Sequence, residues 1–319
     1  MDLQTATHTI SEKLKVPQSD SEVIVEKAFV GGEISSPEGI EEWLTKRFLP
    51  NCVLIDENGY AKMCVDALKI LGTVAATDYG SSRQRDMGQL WADMTRGYLG
   101  EYAFKLYMKN RYGIGADLGH EKGELAGYLP MDIHLIERVG EPTRPPKLHI
   151  GIKAAKWNGI WLDIPGDQFN HSDVHVMVKV GAGRDHLFAF FKSLSVFKDK
   201  VLKKGEDIGS LSPTESTELY NKLPSFAPIP AYICGFALKS KYHDKLSYNG
   251  KKGRLNYKIS VWNGPISAGD LELVKKRENV AGKVEFAGIG EFSHESGYLF
   301  NTGSLLWKPE DWDSVFKAL

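Results

Sequence analysis

Apolar positions recur at helical spacing through much of the first third of the chain. Ser36-Pro37-Glu38, followed by GIEEWLTKRFL, has the form of a capped helix start with proline at an early position. Met63, Val65, Leu68 and Leu71 predict a second helix over about Tyr60–Ala76. Asp78-Tyr79-Gly80-Ser81-Ser82 is a breaker cluster. After it, Leu90, Met94, Tyr98, Ala103, Leu106 and Tyr107 form a helical stripe, interrupted by Gly97 and Gly100 and stopped at Gly113.

From residue 130 the period changes. MDIHLIERV and KLHIGIKAA are short β-like runs joined by the proline-bearing GEPTRPP, and they predict a hairpin. DVHVMVKV alternates: Val174, Val176, Val178 and Val180 on one face, Asp173, His175, Met177 and Lys179 on the other. HLFAFFK reads as a further strand, and GAGRDH before it as a turn. Val196–Leu223 is polar and reads as two helical pieces, the second opening at Ser212-Pro213-Thr214-Glu215. Pro224, Pro228 and Pro230 stiffen the next connection. Residues 231–319 lean towards β, with YICGFAL, RLNYKISVW and KVEFAGI alternating. PEDWDSVFKAL closes the chain as a short capped helix.

This pattern divides the chain into an N-terminal helical extension (1–76), an α/β core (77–223) and a β-rich C-terminal region (224–319). No internal repeat is visible. At 319 residues, 42% hydrophobic and 25% charged, the chain can bury a sizeable core as a globular protein. No run approaches the ~20 apolar residues that span a bilayer, so no membrane partner is expected. The start, MDLQTATHTISEKLK, has no basic-then-apolar secretion pattern, which makes the cytoplasm the expected location. Cys52, Cys64 and Cys234 are far apart and read as free thiols. A net charge of −1 argues against a protein that coats nucleic acid non-specifically. It leaves room for an enzyme with a local basic groove.

The chemistry concentrates in 130–153. Phosphodiester hydrolysis needs a cation to neutralise phosphate charge and activate water, with a lysine to stabilise developing charge. Pro130-Met131-Asp132 begins one β-run, and Gly151-Ile152-Lys153 lies late in the next. In a hairpin, Asp132 and Lys153 come to the same end, and alternation puts Gly151 and Lys153 on one face. Asp132 and Lys153 in this setting resemble the PD-(D/E)xK nuclease superfamily, which includes most type II restriction endonucleases. The resemblance spans roughly residues 95–192. Arg96-Gly97-Tyr98-Leu99-Gly100-Glu101 is similar to the helix that often supplies that family's glutamate, and IWLDIPGDQFNHSDVHVMVKV to the segment that follows its lysine. The chain departs from the family at Gly151, which stands where the second acid belongs; Glu101 is the expected replacement.

The resemblance implies a restriction-endonuclease-like mixed β-sheet flanked by helices, with a β-rich C-terminal part. It implies Mg2+ held by Asp132, Glu101 and the Ile152 carbonyl, with Lys153 assisting water and phosphate. The expected activity is sequence-specific cleavage of double-stranded DNA by a homodimer, with a cognate DNA methyltransferase as a functional, not physical, partner. The rivals are a junction resolvase, repair nuclease or nickase of the same superfamily, a catalytically dead DNA-binding module, and an unrelated hydrolase.

Candidate DNA contacts are Arg83, Gln84 and Arg85 near the helix start, Lys156 and Gln168 near the lysine, and Lys251, Lys252 and Arg254. The last three belong to a basic stretch, Lys239 to Lys258, interleaved with Tyr242, Tyr248 and Tyr257. Asp163 and Asp167 are further carboxylates that could replace the missing acid. His171 and His175 lack the helical setting of a zinc pair. His134 and His149 have no serine or cysteine nucleophile context, and no phosphate-binding loop is present.

Overall fold

The computed structural model describes residues 1–71, 86–119, 132–243, 245–292 and 295–319. The Asp2 carboxylate accepts the Thr5 amide and starts α1 (Leu3–Leu14), which packs on α2 (Gln18–Val30). Helix α3 (Ile40–Glu42) continues through a wider turn, Trp43–Phe48, that buries Trp43, Leu44, Arg47 and Phe48. Strand β1 (Cys52–Ile55) leads to α4 (Glu57–Ile70), capped by Asp56. Helix α5 (Met87–Tyr112) is capped by Asp86 and ends at Gly113, whose φ of 68° glycine adopts without steric cost. Gly97 and Gly100 lie inside it without breaking it.

Strands β2 (Gly115–Asp117) and β3 (Leu135–Glu137) form a small antiparallel pair. Then come β4 (Ile150–Lys156), β5 (Trp161–Pro165), a tight helical segment over Gly166–His171, and β6 (Val174–Val180). Helices α6 (Arg184–Ser193), α7 (Lys203–Asp207) and α8 (Pro213–Lys222) follow. The chain returns through β7 (Ile229–Leu238), α9 (Lys239–Tyr242), β8 (Ser247–Lys252) and β9 (Tyr257–Ser267). It ends with α10 (Ala268–Glu278), β10 (Val284–Phe286), β11 (Ser296–Asn301) and α11 (Pro309–Ala318).

The protein is mixed α/β. One sheet has the order β1-β7-β6-β4; β4 runs parallel to β6 and the other neighbours are antiparallel. Its valine face, with Ile150 and Ile152, packs under α4, α5 and α11. Its other face, with Met177, Tyr232 and Cys234, packs under α1, α2 and Trp43–Phe48. A second sheet, β10-β9-β11-β5 with β8 on β9, has its own core around Trp262 and Phe286. Among the described residues no helix is long and apolar enough to cross a membrane.

Several local expectations need correction. HLFAFFK is helical, forming most of α6. Leu187, Phe190 and Phe191 are spaced i, i+3, i+4, and that helical face carries Phe190 and Phe191 onto the core. GAGRDH is therefore a strand-to-helix junction, with Gly183 at the N-cap of α6. The hairpin over 131–155 does not form as expected: β3 pairs with β2, and among the described residues it is Asp132, before β3, that hydrogen-bonds to β4. The β-leaning C-terminal region also holds α10, started by Ser267. Strand β7, which follows the proline-stiffened connection, lies between β1 and β6, so the first sheet draws strands from all three sequence segments.

Candidate functional site

The outer edge of β4 meets Asp132. The Asp132 amide donates to the Ile150 carbonyl at 3.1 Å, and the Ile152 amide donates to Asp132 Oδ2. In an extended strand the N–H and C=O of one residue point to the same side. The Ile152 carbonyl therefore faces the same edge as the Asp132 carboxylate.

Alternation along β4 divides its side chains. Ile150, Ile152 and Ala154 face α5. Lys153 points to the opposite face, where its Nζ donates to Gln168 Oε1 at 2.7 Å. Gln168 sits in the helical segment after β5, so two residues singled out separately in the sequence touch in the fold.

Gly151 has a steric cause. A Cβ built there would stand 2.8 Å from Ser172 Oγ and 3.4 Å from His175 Nδ1. The His175 ring is buried, stacked on Phe169 with centroids 4.8 Å apart, and its Nε2 meets the Phe169 carbonyl at 3.0 Å. Burial holds its pKa down at about 4, and the nearby Lys153 charge acts in the same direction. At neutral pH the ring is uncharged, and the space a side chain at position 151 would need is occupied by Ser172 and His175.

Glu101 is on α5, on the Ile152 side of β4. The helix comes close because Gly100 carries no side chain: a Cβ there would stand 2.7 Å from Ala154 Cβ. Tyr98 lies one helical turn before Glu101. Burial, and then the charges of Glu101, Asp66 and Asp132, push the Tyr98 phenol up to about 12. Glu101, Asp66 and Asp132 thus all act electrostatically on the same phenol. Asp66 also accepts from Lys62 and from Lys69. The sequence places Tyr98 in the apolar stripe and in the segment that resembles the family's glutamate-bearing helix, but gives it no role of its own, and it does not single out Asp66. The i,i+3 spacing of Tyr98 and Glu101 was the available signal.

The oxygen donors at the β4 edge, the Asp132 carboxylate and the Ile152 carbonyl, are of the kind a hard cation such as magnesium takes while keeping several waters. Among the described residues, no group of three or more His, Cys, Asp or Glu side chains is arranged to hold a metal ion. A cation here would depend on this smaller set.

The remaining candidates are dispersed. Lys156 is exposed at the end of β4 and lines a cavity with Arg96. Asp163 is on β5, opposite Leu299 of β11. Lys251 and Lys252 are exposed on β8, and Arg254 in the turn after it. Lys252 donates to the carbonyls of Glu278 and Asn279 at the end of α10. Arg83, Gln84 and Arg85 lie outside the described residues, and of the Asp167 side chain nothing is described. No family model, curated protein or solved structure matches the chain.

Proposed function

We propose that this chain is a magnesium-dependent DNA endonuclease of the PD-(D/E)xK type, acting as a sequence-specific type II restriction enzyme. The observation that carries the reading is the attachment of Asp132 to the Gly151-Ile152-Lys153 strand through Ile150 and Ile152. The acid thereby adjoins the strand that carries the lysine, which supports the reading drawn from the sequence resemblance. The parallel β4–β6 pair and the helix α5 over β4 support a restriction-endonuclease-like core in the same way.

Asp132, Glu101 and the Ile152 carbonyl would hold the cation. Bound magnesium would neutralise phosphate charge and make a water acidic enough to attack. The Ile152 amide orients the Asp132 carboxylate. Lys153, steadied by Gln168, offers its ammonium to the phosphate from the other face of β4, so the scissile group would straddle this edge strand. Double-stranded DNA is the proposed substrate. A homodimer would match the twofold symmetry of a palindromic site.

Plasmid cleavage with and without magnesium tests this. The parent should give discrete fragments, and Asp132→Asn, Glu101→Gln and Lys153→Ala should each lose roughly 100-fold or more in rate while melting at the parent's temperature. A smear would point to a non-specific nuclease. Parent-like cutting by the Asp132→Asn variant would end the proposal. Gly151 favours a second reading, a DNA-binding module without catalysis. Retarded mobility of DNA with no cleavage under any divalent cation would select it.

A further inference from the structure

A cavity of about 430 Å³ opens where α4 and α5 meet the carboxyl ends of the parallel strands β4 and β6. That volume lies within the range of small-ligand sites, and strand carboxyl ends are where open α/β sheets form ligand crevices. Tyr60, Trp91, Leu99 and Leu187 supply apolar walls. Arg96 from α5 and Lys156 from β4 supply charge, and the described lining contains no carboxylate.

Arg96 has donor capacity to spare. Its Nη1 donates to Asp93 at 3.1 Å, whereas its Nε is shielded from solvent and meets no acceptor among the described residues. A shielded guanidinium N–H lacking an acceptor fits an anionic ligand. Trp91 is held rigidly. Its indole N–H donates to the Cys64 carbonyl at 2.9 Å, and its ring stacks on Phe191 with centroids 6.1 Å apart. A fixed indole is a platform for a flat base. The Gly183 amide at the start of α6 already donates to His186 Nδ1, so the helix start is not needed as a donor.

We propose that this cavity binds one nucleotide unit, with its phosphate on Lys156 and Arg96 and its base against Trp91 and Tyr60. Inorganic phosphate would use only the charged end and leave the apolar walls uncovered. The unit could be a free nucleotide or one nucleotide of a DNA strand, since both present the same phosphate and base. The inference does not rest on cleavage, and its test excludes magnesium.

Binding of a fluorescent methylanthraniloyl-dAMP and of a labelled short single-stranded oligonucleotide would be titrated in EDTA, for the parent, Arg96→Gln and the cavity-filling Leu187→Trp. Circular dichroism would establish that each variant folds. The parent should bind at least one probe, and both folded variants should bind it roughly tenfold or more weakly. Mononucleotide binding assigns the site to free nucleotides. Binding of the oligonucleotide alone, weakened in both variants, assigns it to a strand of DNA. No binding of either probe by the parent overturns the proposal, as does undiminished affinity in either folded variant. If Leu187→Trp does not fold, Arg96→Gln decides. Because no cleavage is read, the endonuclease proposal can fail while this one stands, and the reverse.

Discussion

Alternation along β4 made the facing of Lys153 legible in the sequence, whereas Asp132, which lies before β3 and outside any strand, reaches β4 only through the fold. Gly151 was legible only as a gap. Ser172 and His175 approach it from β6 and the segment before it, more than twenty residues away in the chain, so the reason for glycine is tertiary. The contact predicts that Gly151→Ala lowers stability by about 1–3 kcal/mol through overpacking, read as a shift in urea midpoint. Ser172→Gly in the same chain should restore most of the loss. An unchanged midpoint in Gly151→Ala would show that Ser172 turns aside without cost. For Glu101 the sequence offered a helix and a family resemblance. That its charge and that of Asp132 act on the same Tyr98 phenol required the fold.

Elements with a clear period or a recognisable start were readable, long or short. The stripe from Leu90 to Tyr107, the Gly113 stop and the Ser212 cap correspond to α5 and α8, because caps and 3.6-residue spacing are local properties. HLFAFFK misled because its run of aromatics suits a strand as well as a buried helix face, and only the start at Gly183 separates the two. The mutual position of α5 and β4 depends on one missing side chain. Gly100→Val should force α5 away from Ala154, at about 1–3 kcal/mol. On the endonuclease reading it should also reduce cleavage with Glu101 intact. A crystal structure of the variant with α5 unmoved would contradict this account.

At the scale of the whole molecule, a buried ionic cluster links distant segments of the chain. Glu33 lies between Lys179 of β6, 3.0 Å from its Oε1, and Arg47, whose Nε is 3.8 Å from its Oε2. Trp43 and Tyr232 donate to the same carboxylate at 3.1 and 2.7 Å. Burial pushes the Glu33 carboxyl up, but the two cations and the two hydrogen bonds outweigh it and hold the pKa at about 2. Removing one partner strands a buried charge, so Lys179→Met should cost about 3–5 kcal/mol by denaturant titration. Glu33 lies below its ordinary 4.5, so its contribution is complete above that pH and is lost as pH falls from 4.5 towards 2. His175 lies at about 4, below its ordinary 6.5. In that window the unfolded chain binds the proton first, so stability falls as pH drops from 6.5 to 4. His175→Phe should flatten the upper window and leave the lower one. Equal slopes in parent and variant through the upper window would rule out His175 as its source.

The sequence alone determined the long helix α5 with its Gly113 stop, the Ser212-capped helix α8 and the alternating strand β6. These follow from periodicity and backbone preference, which act within a few residues. The tertiary structure decided which strands share a sheet and that α6 is a helix. It also decided that the polar face of β6 is buried against Glu33 and that Gly151 is enforced by its neighbours across the sheet. Those outcomes depend on contacts between residues far apart in the chain, where packing and charge pairing outweigh local preference.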